Sequence, residues 1–256
     1  MSDPGGVRVT TVGEGVARVE WPEGQPIEDV QAAVAQALAD HERVEAWVDP
    51  TDPGAQRVAT WSGLRREGVM RGGVAVDGVA TDRIVYARLA GDLPAQEPEG
   101  FRALLNSFLP RKRAIAQMLV RDPEDRVLLC RLTYKQDWDL PGGVVEVGES
   151  PQLAVTREIE EELALQLPAG RLLLTDWLPP WSGWDDALCL VFDGGVHDPS
   201  ILDDVVRQER EIRDAAFCTL QEVRERCADF TARRIASALD NVQTGGGTAY
   251  SESGRV

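Results

Sequence analysis

The chain has 256 residues, 43% of them apolar, which is enough for two packed cores of ordinary size. Its formal net charge of −16 disfavours binding to a nucleic-acid duplex or to an anionic membrane. There is no apolar run of eighteen residues and no basic segment before an apolar stretch at the N-terminus, so neither a membrane span nor a secretory signal is expected.

The cysteine pattern argues against a metal site built on sulfur. The chain contains no C-x-x-C pair, and Cys130 and Cys189 lie in apolar, strand-like runs. We therefore expect buried, reduced thiols, and with them a cytoplasmic location.

Composition and turn residues divide the chain into four segments. Residues 1–92 form a first α/β domain, and residues 93–112 form a linker with a short amphipathic helix. Residues 113–242 form a second domain, and residues 243–256, rich in Gly, Ser and Thr, are expected to be a disordered tail.

Apolar periodicity predicts alternating strands and helices in both domains. In the first domain the predicted elements are, in chain order, strands Val7–Val12 and Val16–Trp21, helix Ile27–Asp40, strand Val44–Val48, a helix through Val58 and Trp61, and strand Arg83–Leu89. In the second they are strands Ile115–Val120 and Val127–Leu132, helix Pro151–Leu165, strands Leu172–Leu178, Ala187–Phe192 and Ala215–Leu220, and a closing helix Val223–Leu239. This mixture predicts an α/β or α+β fold in each half.

The helix that begins at Pro151 carries an unusual group of charges. Ser150 suits the N-cap and Pro151 the first helical position. Glu158, Glu161 and Glu162 fall at i, i+3 and i+4 and share one face, where each like-charge pair costs about a few tenths of a kcal/mol. A hard divalent cation would reverse the sign of that cost. The residues alone leave two interpretations open, a Mg²⁺ or Mn²⁺ site and a solvated acidic face.

The surroundings of these glutamates resemble the Nudix box, G-x5-E-x7-R-E-U-x-E-E-x-G-U, where U is a bulky aliphatic residue. The residues that match in place are Gly143, Glu149, Arg157, Glu158, Ile159, Glu161, Glu162 and Leu165. The second glycine of the box is replaced by Ala164. The resemblance covers about residues 113–240.

This resemblance implies an α/β/α sandwich in which the box forms a loop, a helix and a second loop. It implies that Glu158, Glu161 and Glu162 ligate Mg²⁺ or Mn²⁺, with the carbonyl of Gly143 as a further ligand. It also implies that Arg157 pairs with Glu149 and anchors the loop. The alternative partner for Arg157 is Glu161, one helical turn away.

The implied reaction is metal-dependent hydrolysis of a phosphoanhydride bond in a small nucleoside-diphosphate-type substrate. The metal would neutralise the diphosphate and lower the pKa of bound water. Glu161 or Glu162 are candidates for the general base, and so are Glu209 and Glu211, which lie outside the box. For these last two residues an exposed acidic turn is an equally good interpretation.

Two further features bear on the site. Ala164 either adopts a positive φ at the helix end, at a cost of about 1–2 kcal/mol, or lets the helix continue to Leu167. The candidate substrate-binding residues are Tyr134, Trp138, Trp181 and Trp184. Their rings could stack on a nucleobase or could pack the loop itself.

Residues 44–92 resemble the C-terminal half of a GNAT acetyltransferase, with a helix ending in SGLRREG and a hairpin ending in DRIVYARL. The glycine-rich loop that would hold CoA pyrophosphate is absent, because the corresponding segment PEGQPIEDV has one glycine, three acids and no basic residue. A half sheet would leave an apolar face and a strand edge uncovered. The second domain, the linker helix or a second copy of the chain could cover them, and a homodimer is expected.

Three functions follow as hypotheses. The first is a Nudix hydrolase with a non-catalytic GNAT-like domain. The second is a bifunctional acetyltransferase and hydrolase. The third is a non-enzymatic ligand sensor built on the Nudix fold.

Overall fold

The structure, a computed structural model, describes residues 6–255, so the first five residues considered for a signal sequence lie outside it. The chain divides into two compact units, Met1–Pro110 and Arg111–Val256. Within residues 6–255, no helix is both long and apolar enough to cross a membrane.

Within residues 6–110, the first unit is a five-stranded mixed sheet with three helices. Its elements are β1 Arg8–Gly13, β2 Val16–Glu20, α1 Ile27–Ala37, β3 Arg43–Val48, α2 Pro53–Trp61, β4 Arg65–Val76, β5 Val79–Leu89 and α3 Pro98–Phe108. The strand order is β1-β2-β3-β5-β4. Strands β2 and β3 run parallel, and the other neighbours run antiparallel.

The two faces of this sheet differ in chemistry. One face packs against α1 and α2 through a buried cluster that includes Val34, Val44 and Ala46. The alternate residues carry ion pairs, among them Arg18–Glu45 at 2.7 Å. Alternation along the strands therefore places charged residues on the second face. The linker helix, one of the expected covers of this sheet, contacts β4.

Helix α3 lies in the segment predicted as a linker, where the amphipathic stretch was expected to allow packing against one domain, and it packs into the first unit. It contacts β4, its Leu104 is buried, and the Ser107 hydroxyl accepts a hydrogen bond from the backbone N–H of Arg66 at 3.1 Å. The amphipathic pattern of the helix thus provides a buried face within the unit rather than a spacer.

Across the described residues 111–255, the second unit contains eight strands and three α-helices, with a short 3₁₀ helix at Pro199–Asp204. Its elements are β6 Arg113–Arg121, β7 Val127–Leu132, β8 Trp138–Asp139, β9 Gly142–Val144, α4 Pro151–Leu163, β10 Leu172–Leu178, β11 Ala187–Val196, β12 Ile212–Cys218, α5 Leu220–Arg226, α6 Asp229–Thr244 and β13 Ala249–Glu252. The main strand order is β12-β7-β6-β11-β10-β13, with β8 beside β7 and β9 beside β6.

Helices cover both faces of this sheet. Helix α4 packs on one face through Val155, Ile159 and Leu163, the apolar stripe expected from the sequence. Helix α6 packs on the other through Ile235 and Leu239. The result is the α/β/α sandwich predicted from the box.

The C-terminal segment differs from its prediction in two ways. The residues expected to form a disordered tail include β13, which pairs in parallel with β10 and covers the edge that β10 would otherwise expose; only Val256 lies outside the description. The single predicted closing helix is two helices, because Cys227 between α5 and α6 is extended and forms a bridge with Trp138.

Candidate active site

Helix α4 begins and ends with defined caps. The hydroxyl of Ser150 accepts a hydrogen bond from the backbone N–H of Leu153 at 3.3 Å, and Pro151 occupies the first helical position. The helix ends at Leu163, and Ala164 has φ 57° and ψ 23°. Of the two sequence-based alternatives, the positive φ is the one observed, so this alanine carries the strain that glycine would avoid.

A pair of glycines connects the strand β9 to two of the α4 glutamates. The backbone N–H of Gly142 donates to Glu162 Oε2 at 3.0 Å. A Cβ at Gly143 would lie 2.5 Å from the carboxylate carbon of Glu158, so only glycine lets that carboxylate pack on the strand. These contacts hold two carboxylates against the backbone of β9.

Arg157 contacts both of the partners considered from the sequence. Its Nε and Nη2 donate to Glu149 Oε1 and Oε2 at 2.9 and 3.0 Å, a bidentate pair that joins the loop to the helix. Its Nη1 donates to Glu158 at 2.9 Å and to Glu161 at 3.0 Å. One guanidinium therefore organises three of the box carboxylates.

Burial makes negative charge expensive at this site. Glu162 is 4% exposed, and desolvation raises the pKa of its carboxyl to about 8 against the stabilising Gly142 hydrogen bond. Desolvation also raises the pKa of Glu158. The negative charges of Glu158 and Glu211 raise the pKa of Glu162 further, so Glu211 lies close enough to act electrostatically on this carboxyl.

The donor set fits a hard divalent cation in chemistry. The carboxylates of Glu158 and Glu162 and the backbone of Gly143 supply oxygen atoms. Burial raises the pKa of both carboxyls, a cost that a bound cation would offset. Among residues 6–255, however, no three His, Cys, Asp or Glu side chains converge on one point. The reason is that Arg157 holds Glu161 on the outer side of the helix while Glu162 turns to Gly142.

A largely apolar cavity of about 350 Å³ adjoins the two glycines. Three of the predicted substrate-binding residues line it, Tyr134, Trp181 and Trp184. Trp181 and Trp184 are 61% and 60% exposed and flank a tight turn in which each backbone pairs with the other. The guanidinium carbon of Arg113 lies 4.8 Å from the ring centre of Trp184, so one face of that ring is occupied, whereas Trp181 has an edge contact with Phe230.

Comparison with known proteins identifies the family of this loop and helix. The model for the NUDIX domain matches residues 110–239, 130 of the 256 residues. The chain belongs to the Nudix family. The enzyme class expected from the sequence, a Nudix-type pyrophosphohydrolase, follows from this membership.

Three similar proteins illustrate the range of this family. A MutT-like protein of Streptomyces ambofaciens is 31% identical over 131 residues, which is 50% of this chain and 76% of the relative. The nucleoside triphosphatase NudI of Escherichia coli is 32% identical over 112 residues, 40% of this chain and 74% of the relative. A MutT protein of Methanosarcina mazei Go1, of known structure, has 22% identity and a TM-score of 0.45, covering 54% of this chain and 99% of that one.

Trp138, the fourth predicted substrate-binding residue, lies away from the cavity of this Nudix domain. It packs against the α6 side of the sheet, with the guanidinium carbon of Arg226 4.9 Å from its ring centre. The next residue, Asp139, lines the cavity instead. Successive side chains on β8 point to opposite faces, so the prediction was wrong by one position.

The sequence did not predict the buried polar network at the inner wall of the cavity. Arg234 on α6 donates to Asp176 Oδ2 and to Gln117 Oε1, both at 2.9 Å. Gln117 Nε2 donates to Asp139 Oδ1 at 2.9 Å, and Lys135 Nζ donates to Asp139 Oδ2 at 2.6 Å. An isolated arginine in an amphipathic helix gives no pattern from which these partners could be found.

Proposed function

We propose that the second unit hydrolyses a phosphoanhydride bond in a nucleotide or a nucleoside-diphosphate-linked small molecule, with Mg²⁺ or Mn²⁺ as cofactor. One observation carries this proposal. Gly142 and Gly143 contact the carboxylates of Glu162 and Glu158 on one side and line the aromatic cavity on the other. A substrate ring in the cavity would therefore place its phosphates beside the carboxylates.

In this proposal Glu158, Glu161, Glu162 and the Gly143 carbonyl hold the cation. The cation supplies charge neutralisation of the diphosphate and a lowered pKa for water. Arg157 positions the box by clamping Glu149, which keeps the loop at a fixed distance from α4. Glu211 is the candidate general base outside the box, because its charge already acts on both Glu158 and Glu162.

The aromatic rings at the mouth support a nucleoside as the organic part of the substrate. Trp181 and Trp184 are largely exposed, Phe230 contacts Trp181 edge-on with ring centres 5.8 Å apart, and Arg113 covers one face of Trp184. Flat rings stack favourably on such surfaces. The name of the similar NudI, a nucleoside triphosphatase, is consistent with this substrate class.

A substrate screen tests the proposal directly. The full chain is incubated with nucleoside triphosphates, nucleotide sugars and dinucleotides, in Mg²⁺, in Mn²⁺ and with a chelator, and phosphorylated products are separated by chromatography. We expect metal-dependent release of a phosphorylated product at mildly alkaline pH. Turnover that survives the chelator, or no turnover of any member of the panel, would contradict it.

We propose a non-catalytic, assembly role for the first unit, in a dimer located in the cytoplasm. The support is its exposed edge strand β1 and the missing CoA loop. A chain shortened to begin at Pro110 should aggregate or change its oligomeric state in light scattering. Micromolar binding of acetyl-CoA to the full chain would instead favour the bifunctional alternative, and a monomer in both forms would remove the assembly role.

A further inference from the structure

Arg234 in the cavity wall has an unused hydrogen-bond donor. The side chain is 2% exposed, its Nε is taken by Asp176 and its Nη1 by Gln117. Its Nη2 is buried and has no hydrogen-bond partner. A buried N–H without a partner costs more free energy than a typical hydrogen bond contributes. An acceptor atom on a bound ligand would satisfy this N–H.

The neighbouring groups cannot supply that acceptor. Both ends of the Gln117 amide are engaged, with Arg234 and with Asp139. The carboxylate of Asp139 already accepts from Gln117, from the backbone N–H of Leu140 and from Lys135. The inner wall therefore offers the Nη2 donor of Arg234, and the Gln117 amide is not free to bind a ligand.

The charges of the network indicate what kind of acceptor fits. Arg234 and Lys135 are balanced by Asp176 and Asp139, so this network has no net charge. Arg113, the other arginine that lines the cavity, lies over the Trp184 ring instead. A neutral ligand with a strong hydrogen-bond acceptor needs no further counter-charge here. An additional phosphate group bound to this network would need one. A carbonyl oxygen on a flat ring meets this condition, and the exposed ring of Trp181 in the same cavity offers a surface for stacking.

We propose that Arg234 is a specificity-determining residue that donates a hydrogen bond from Nη2 to a ring carbonyl of the substrate base. The proposal rests on the nucleotide hydrolase function proposed above. A guanidinium carries donors only, and it pairs well with the O6 and N7 acceptors of an oxopurine. The amino group of adenine is a donor and would face the Arg234 donor unfavourably. The Gln117 amide, which could pair with adenine, is already occupied by Arg234 and Asp139.

Hypoxanthine and adenine provide a matched test because they differ at C6 in an oxo or an amino group. With the full chain and Mg²⁺, we expect kcat/KM for inosine 5′-triphosphate to exceed that for adenosine 5′-triphosphate by about tenfold. Binding of the nucleosides inosine and adenosine to the metal-free protein, followed by tryptophan fluorescence, should show the same preference. Binding of this kind requires no hydrolysis.

Arg234→Lys retains the charge beside Asp176 but removes the second donor branch, so the preference should fall to about twofold or less. Arg121→Lys is the control, because Arg121 is 8% exposed, pairs with Asp193 and also has an unpartnered N–H, yet is not part of the cavity wall. That variant should retain the full preference. Melting temperatures of both variants show whether each remains folded.

Several results would overturn the assignment of Arg234. Equal kcat/KM for the two triphosphates would leave the hydrolase proposal intact and rule out the proposed contact between Nη2 and the base. An unchanged preference in folded Arg234→Lys would also rule out the proposed Nη2 contact. Equal binding of the two nucleosides, or no binding of either, would rule it out as well. Absence of hydrolysis together with preferential inosine binding would contradict the hydrolase function alone. The comparison in the unmodified chain remains decisive even if the variant does not fold.

Discussion

The two units of the chain place their charged residues in different environments. In the first unit, pairs such as Arg43–Glu67 lie on the open face of a sheet, in contact with solvent. In the second unit, helices cover both faces, and charged groups enter the interior at Glu162 and at the Arg234–Asp176 pair. Exposed pairs contribute about 0–1 kcal/mol, whereas removing one partner of a buried pair costs about 3–5 kcal/mol. Function is therefore expected where burial makes charge costly.

The largest effect should come from the α4 carboxylates. Glu161→Gln and Glu162→Gln should each lower kcat by about a hundredfold or more, because each removes a charge that would hold the cation. The matched control is Glu160→Gln on the exposed part of the same helix, which should retain wild-type turnover. Steady-state kinetics with Mg²⁺ measure both, and wild-type rates in either of the first two variants would refute the metal assignment.

A second contrast concerns pH and the stability of the metal-free protein. The folded-state pKa of Glu162, about 8, lies above its usual value of 4.5. The unfolded chain therefore releases this proton first, and the free energy of unfolding should fall as pH rises from 4.5 to 8, by at most about 5 kcal/mol. The contribution of the protonated Glu162 carboxyl to the free energy of unfolding is complete below pH 4.5 and lost above pH 8.

Denaturant unfolding in a chelator, at several pH values, measures this slope. Glu162→Gln should abolish the contribution of this residue, and Mg²⁺ should reduce the slope by pairing with the ionised carboxylate. The interpretation fails if the variant and the unmodified chain show identical pH profiles. In the first unit, the hydrogen bonds from Arg43 lower the pKa of Glu67, so this carboxyl does not produce such a loss.

Two bidentate arginines allow the units to be compared directly. Arg157 clamps Glu149 in the box, and Arg43 clamps Glu67 on the first sheet, with N–O distances of 2.6–3.0 Å in both pairs. Lysine cannot reproduce either fork. Arg157→Lys should lower kcat/KM by about tenfold or more through misplacement of the loop, and Arg43→Lys should leave it unchanged. Full activity of Arg157→Lys would reduce that residue to a surface ion pair.

The smallest effect is expected at Ala164. Its left-handed backbone favours glycine, so Ala164→Gly should raise the free energy of unfolding by about 1 kcal/mol. Activity should stay at the wild-type level, since no cavity or box contact of Ala164 is lost. Thermal unfolding checks this, and a destabilised glycine variant would mean that chain entropy outweighs the strain.

Local patterns predicted the local parts of the structure well. The cap at Ser150, the apolar stripe of α4 and the family signature all lie within about twenty residues, where spacing fixes geometry. Trp138 was misplaced because a two-residue strand gives no register from which to choose a face. The β13 strand was missed because its neighbouring glycines resemble a loop, and only the free edge of β10 determines its pairing.

The cavity wall is assembled from residues that are far apart in the chain. Arg234 and Gln117 are 117 positions apart, and Asp176 receives hydrogen bonds from Ser251 and Gly254, 75 and 78 positions later. In contrast, Arg157 and Glu149 are separated by eight positions. Closing a long loop costs more entropy than closing a short one, and distant contacts slow folding. We therefore expect the carboxylate helix to form early during refolding and the selective wall of the cavity to form last, so that the capacity to discriminate between bases would be acquired after the capacity to bind a cation.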